Sequence, residues 1–165
     1  MRNKTNTNED IFKNTKEEAE EFYKNIEKVY CPYLKTLVSF NAKGLSHIKM
    51  KSWNKSRPKN DQYIRLKFIQ LAPLIIKMSH TLQEIQKSEN IEKIKISGEW
   101  KEKEKRVTYF AFIAIIDKVR LKIIVKKIEN NNPYFWSIIP FWKKKNCSIS
   151  RKTKKVFHEG DLRCD

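Results

Sequence analysis

The sequence predicts an α+β fold in which an N-terminal helix, a hairpin and a long kinked helix pack on a four-stranded antiparallel meander. Two observations predict it: apolar residues recur every three or four positions before residue 88, and strand-like apolar runs separated by short turns follow residue 93. A chain of 165 residues is long enough for one domain with a core. We therefore expect a flexible N-terminus over residues 1–13, a single domain over 14–142 and a basic tail over 143–165.

The first predicted helix starts at Thr15, because Thr15 and Glu18 have the spacing of a capping box. Phe22 and Ile26 continue the apolar spacing of a helix face. Pro32 should end this helix, since proline cannot donate a backbone hydrogen bond.

Two short strands, 37–40 and 45–50, are predicted next, joined by the tetrapeptide NAKG. Its Asn and Gly are typical of a tight hairpin turn. Because side chains alternate along a strand, His47 should share one face with Lys49 and Lys51.

A long helix is predicted over residues 62–87, where apolar residues keep a three-or-four spacing. Pro73 should kink it, since its ring crowds the preceding turn and one ladder donor is lost. Asp61 or Asn60 is expected to cap its start.

Four strands should then form the meander: IKISGEW, VTYFAFIAII, RLKIIVKKI and YFWSIIPFW. The segment KEKEKR is expected to be a charged connection, and DK and ENNNP have the lengths of hairpin turns. The third strand should direct Arg120, Lys122 and Lys126 to one face. The basic tail that follows should be mobile, held by a short contact through Val156, Phe157 and Leu162.

The charge of the chain predicts an anionic partner. Lys and Arg number 36 against 19 Asp and Glu, a formal charge of +17. RNA or another nucleic acid is the first candidate, because basic residues that neutralise phosphates release counterions. An anionic membrane surface, an acidic protein and a merely lysine-rich composition are the competing explanations.

Several classes of function lack their sequence signals. The chain has no P-loop, no dinucleotide-binding glycine pattern and no HExxH motif, and its histidines are isolated, so we expect no cofactor and no metal site. Three widely separated cysteines and the lack of a signal-like or membrane-spanning segment predict a cytoplasmic protein without membrane contact. The sequence leaves the oligomeric state open.

Cleavage of RNA without a metal needs a base, cations beside the phosphate and a proton donor. His47 beside Lys49 and Lys51 fits this chemistry, and Arg57, held extended before Pro58, can reach a phosphate. The competing interpretations are an ordinary surface histidine and a solvated loop charge.

Aromatic residues of the last strand can stack on nucleobases. Tyr134 and Trp136 share one face, and packing in the core is the alternative role of such a stripe. The predicted nucleic-acid contacts are Lys49, Lys51, Arg65, Arg120, Lys122, Lys126 and Trp136.

The element order, together with VSFNAKGLSHIKMK, RPKNDQYIRL and LKIIVKKIENNNPYFWSIIP, resembles the nuclease superfamily of barnase, EndoU, colicin-type tRNases and RelE toxins. More narrowly, these segments resemble mobile-element proteins placed in that group. The resemblance covers about residues 34–142. It implies a metal-independent endoribonuclease of toxin type, with His47, Arg57, Tyr134 and Ser137 as its catalytic residues. It also implies an antitoxin or immunity protein as a further partner.

The expected function is therefore RNA binding with metal-independent cleavage. Two alternatives stay open: a nucleic-acid-binding accessory protein of a mobile element that does not cut, and a protein-interaction module. Salt-sensitive binding without cleavage products would identify the first, and a concentration-dependent dimer without RNA affinity would identify the second.

Overall fold

A computed structural model describes residues 7–52, 54–141 and 162–163 of the chain. The fold is α+β, as predicted, and the helices pack on one face of a four-stranded antiparallel sheet. The helices are α1 (Asn8–Lys24), α2 (Ala42–Lys49), α3 (Lys59–Phe68) and α4 (Ala72–Met78). The strands are β1 (Val29–Cys31), β2 (Thr36–Val38), β3 (Met50–Ser52), β4 (Lys55–Ser56), β5 (Glu84–Ile96), β6 (Glu99–Ile116), β7 (Val119–Ile128) and β8 (Tyr134–Phe141).

Helix α1 begins two turns earlier than predicted. The side chain of Thr7 accepts a hydrogen bond from the backbone of Asp10, whose carboxylate accepts one from the backbone of Thr7. This capping box takes the place of the one expected at Thr15, which lies inside the helix. The helix also ends earlier, at Lys24, and Pro32 lies in the turn between β1 and β2.

The predicted second strand of the early hairpin is wrong, because residues 42–49 form helix α2. The side-chain oxygen of Asn41 accepts hydrogen bonds from the backbone N–H groups of Lys43 and Gly44 and so caps the helix. Asparagine satisfies turns and helix starts equally well, which makes NAKG ambiguous in sequence. A hairpin is present, but it pairs β1 with β2.

The long helical segment is present and is broken near Pro73, as predicted. Helix α3 passes through one turn of 3-10 helix, Ile69–Leu71, into α4, whose first turn contains Pro73. The predicted end at residue 87 is wrong, since the chain enters β5 at Glu84. The spacing of Leu82 and Ile85 fits a helix, and the pairing of β5 with β6 overrides that local preference.

The sheet has the predicted meander order β5-β6-β7-β8. Strand β5 starts earlier than expected, and KEKEKR belongs to β6 instead of a loop. The turn signal is Ser97-Gly98, both with positive φ, which leaves Glu89 opposite Arg106 across the hairpin. Opposite charges at paired positions stabilise a ladder, so a charged segment can be a strand.

Two apolar clusters cover the two faces of the sheet. The larger one joins the helices to Phe112, Ile123 and Phe135. The smaller one, on the other face, contains Ile124 and Leu162. Within the described ranges, no helix has the length and apolar character needed to cross a membrane.

Candidate functional site

Helices α2 and α3 lie beside β8, an edge strand of the sheet, and place polar side chains together there. We call this group the His47 cluster: His47, Arg57, Asp61, Arg65, Trp136 and Ser137. Its members come from α2, from the loop before α3, from α3 and from β8. Its members are spread over positions 47 to 137 of the sequence, so the cluster forms only when the chain folds.

His47 lies inside this cluster and is 8% exposed. Its ring stacks on Trp136, with 4.0 Å between centroids and 24° between planes. Its Nε2 atom is 3.5 Å from Nη2 of Arg57, and its Nδ1 atom has no hydrogen-bond partner among the described residues. Because a guanidinium group can only donate, Nε2 is the acceptor in this contact.

Burial, followed by the positive charges of Arg57 and Arg65, lowers the pKa of His47 to about 3. Backbone groups of Arg163 and Trp136 act in the opposite direction. His47 is therefore a neutral imidazole at neutral pH, the form that can accept a proton.

Asp61 connects the two arginines of the cluster. Its Oδ1 accepts a hydrogen bond of 2.8 Å from Nε of Arg65, and its Oδ2 accepts one of 3.4 Å from Nη1 of Arg57. Arg57 also donates from Nε to the carbonyl oxygen of His47, at 3.0 Å. Two guanidinium groups against one carboxylate leave the cluster with a positive charge beside His47.

Ser137 is fully buried and accepts a hydrogen bond of 2.7 Å from Nη1 of Arg65. A bulge in β8 places it there: Ser137 pairs with Ile124 and Phe135 pairs with Val125, which leaves Trp136 as the extra residue. Bulges re-aim side chains at the edges of sheets. This bulge puts both Trp136 and Ser137 into the cluster.

The remaining candidates of the sheet lie around Trp136. Tyr134 is buried, and its ring meets that of Trp136 edge-on at 6.2 Å. The ammonium group of Lys126 lies 4.0 Å from the centroid of Trp136. Trp136 is thus engaged by protein groups, including His47, instead of presenting a bare ring to a nucleobase.

The other predicted cations do not form one surface. Lys122 is fully buried and forms an ion pair of 3.1 Å with Glu84. Arg120 is half-buried and lies at the end of β7 that is far from the His47 cluster. Lys49 pairs with Glu20 at 2.9 Å, and Lys51 is exposed on β3. Lys122, which the sequence predicted as a nucleic-acid contact, is therefore not accessible to RNA in this structure.

The end of the tail contacts the sheet face that holds Trp136. Leu162 is 3% exposed, and its backbone N–H donates to Oε1 of Gln86 at 2.8 Å. Nε1 of Trp136 donates to the carbonyl oxygen of Arg163 at 3.3 Å. The contact expected through Leu162 is present, while Val156 and Phe157 lie outside the described residues, as does most of the predicted tail.

A groove of about 590 Å³ opens beside the cluster and was missed in the sequence. It lies between α1, the end of α2 and the start of α3, and Arg57 belongs to both the groove and the cluster. We call it the basic groove; its lining is Phe12, Lys16, Ser46, Lys49, Met50, Ser56, Arg57, Lys59 and Gln62. Lys16 gave no signal in sequence because it lies among the acidic residues of α1.

The positive charge is concentrated in the part of the chain that forms the groove and the cluster. Residues 28–83 contain eleven Lys and Arg residues and one carboxylate, Asp61, a net charge of +10. The described residues contain no group of three or more His, Cys, Asp or Glu side chains arranged to hold a metal ion.

Comparison of the chain with protein-family models, with curated proteins and with solved structures finds no match.

Proposed function

We propose that this protein binds RNA and cuts it without a metal ion, at the His47 cluster. The observation that supports the proposal is the convergence of His47, Arg57 and Ser137, which lie up to 90 positions apart in sequence. Arg65 donates hydrogen bonds to both Ser137 and Asp61, and so connects Ser137 to the rest of the cluster. A neutral imidazole beside two guanidinium groups is the set of groups that phosphodiester cleavage through the 2′-hydroxyl needs.

The proposed reaction begins when Nε2 of His47 takes the proton of the RNA 2′-hydroxyl. The 2′-oxygen then bonds to phosphorus, the bond from phosphorus to the 5′-oxygen breaks, and water protonates the leaving oxygen. Arg57 and Arg65 stabilise the negative charge that builds on the phosphate. The products are a 2′,3′-cyclic phosphate and a 5′-hydroxyl.

The substrate itself would strengthen His47 as a base. The pKa of His47 is held low by burial and by two nearby cations. A phosphate beside the ring adds a negative charge and gives Arg57 a second acceptor, so it raises the pKa of His47 towards its ordinary value. Productive binding must also uncover the ring, which is 8% exposed without RNA.

The test is incubation of the protein with total RNA in EDTA. We expect cleavage by the parent protein and a rate at least about 100-fold lower for His47→Ala, the usual scale for loss of a general base. His47→Gln keeps a polar side chain at the buried site, and circular dichroism checks that both variants fold. The matched control is His80→Ala, because His80 is exposed and lies after α4. Equal rates for parent and His47 variants would reject the assignment.

A second candidate function is RNA binding without cleavage, as in an accessory protein of a mobile element. The burial of His47 and Ser137 favours it, since neither side chain is open to a substrate in this conformation. It predicts salt-sensitive RNA binding while the RNA stays intact. In both cases an acidic inhibitor protein, such as an antitoxin, would compete with RNA for the same basic surface.

A further inference from the structure

We propose that the basic groove holds the phosphate backbone of single-stranded RNA while a neighbouring pocket takes one of its bases. This inference rests on the proposed RNA binding and names the place where RNA approaches the cluster. It does not depend on cleavage.

The groove has the chemistry of a phosphate site. Four of its nine lining residues are cations, and Ser46, Ser56 and Gln62 add hydroxyl and amide donors. The described lining includes no carboxylate, although Glu20 pairs with Lys49 and Glu9 pairs with Lys59 from outside it. The second of these pairs is well exposed, so it contributes little and can open for a phosphate.

A pocket of about 520 Å³ continues from the groove between α1 and α3. Phe12 and Lys59 line both spaces, which makes them contiguous. The pocket adds the half-buried ring of Tyr63 and the amide groups of Asn8 and Asn60. Aromatic rings stack on bases, and amides can bind base edges, so the pocket suits an unpaired nucleobase.

Arg57 connects this surface to the His47 cluster. It lines the groove, and its guanidinium group contacts His47 and Asp61. The start of α3, between groove and pocket, has no side-chain cap, and the positive end of its dipole adds to the attraction for phosphate. A strand lying in the groove would bring a phosphate next to Arg57.

The test measures binding of a short single-stranded RNA with 2′-O-methyl sugars, which lack the 2′-hydroxyl needed for cleavage. We expect the double variant Lys16→Gln, Lys59→Gln to bind about 10-fold more weakly and to have a salt slope smaller by about 1.4, because two charges are removed. The matched control is Lys67→Gln, Lys77→Gln, which removes the same charge from exposed positions of α3 and α4 outside the groove lining.

The pocket is tested with Tyr63. Tyr63→Ala should weaken binding about 10-fold, and Tyr63→Phe should bind like the parent because the ring is kept. If the parent binds RNA and the groove variants bind equally well, or if double-stranded RNA binds more tightly than single-stranded RNA, this inference is wrong while the proposed function stands. If the parent protein binds no RNA even at low salt concentration, the proposed function itself is wrong.

Discussion

Gly44 determines how closely α2 can approach β8. A Cβ atom added there would overlap the carbonyl oxygen of Phe135 and would lie 2.7 Å from the hydroxyl oxygen of Tyr23. That hydroxyl donates a hydrogen bond of 2.8 Å to the carbonyl oxygen of Asn41. The position of His47, one turn further along α2, thus depends on the absence of a side chain at Gly44.

We predict that Gly44→Ala destabilises the protein by about 1–3 kcal/mol, the usual cost of overpacking. Helix propensity alone predicts the opposite sign, a gain of about 1 kcal/mol, so the experiment separates the two effects. Urea unfolding measures the difference. Lys43→Ala, at an exposed position of the same helix, is the control and should change stability little. A stabilised Gly44→Ala would contradict the packing described here.

At the scale of residues, the sequence could not predict which side chains contact one another. His47, Arg57 and Ser137 were predicted as members of one site, and the structure brings them together. Asp61 was expected to cap a helix. Its link between two arginines was missed, although Arg57 and Arg65 each lie four residues from it, the spacing of helix ion pairs. The burial of Lys122 depends on Glu84, 38 positions away, which only the sheet register brings near.

The turn between β6 and β7 is a strained element. Its two residues, Asp117 and Lys118, both have positive φ, at 49° and 66°. A two-residue hairpin turn requires this conformation, and residues other than glycine, asparagine and aspartate adopt it at a cost. Lys118 therefore has a strained backbone conformation, which the two-residue turn requires.

We predict that Lys118→Gly stabilises the protein by about 1 kcal/mol, because glycine adopts positive φ without steric conflict. For a chain of this size that is a rise of about 2–4 °C in melting temperature. Lys118→Ala is the comparison, since it removes the same charge and keeps the Cβ atom. If both variants melt at the same temperature, backbone strain is not the cause.

At the scale of elements, strands β7 and β8 could be placed from sequence because their apolar runs are bounded by clear turns. Helix α2 could not, since eight residues are too few to separate a helical period from alternation. The start of β5 was missed for a different reason. Its residues Glu84–Ile96 become a strand by pairing with β6, a contact that local sequence does not contain.

Across the whole molecule, the buried cluster couples folding to pH. The pKa of His47 is about 3 in the folded protein against about 6.5 for an ordinary histidine. Between these values the unfolded chain binds a proton that the folded protein does not, so stability is complete above about pH 6.5 and falls as the pH decreases towards 3.

We therefore predict that lowering the pH from 7 to 5.5 reduces the free energy of unfolding by about 1 kcal/mol through His47 alone. Urea unfolding of the parent and of His47→Gln at both pH values isolates this contribution. The parent should lose about 1 kcal/mol more than the variant. Equal losses would mean that His47 titrates normally in the folded state.

We propose that the His47 cluster cuts RNA through the 2′-hydroxyl without a metal ion. Incubating the protein in EDTA with an RNA oligonucleotide and with its all-deoxy counterpart tests it most directly. We expect that the RNA is cut, leaving 2′,3′-cyclic phosphate and 5′-hydroxyl ends, and that the DNA stays intact. Intact RNA, or equal cutting of RNA and DNA, would contradict it.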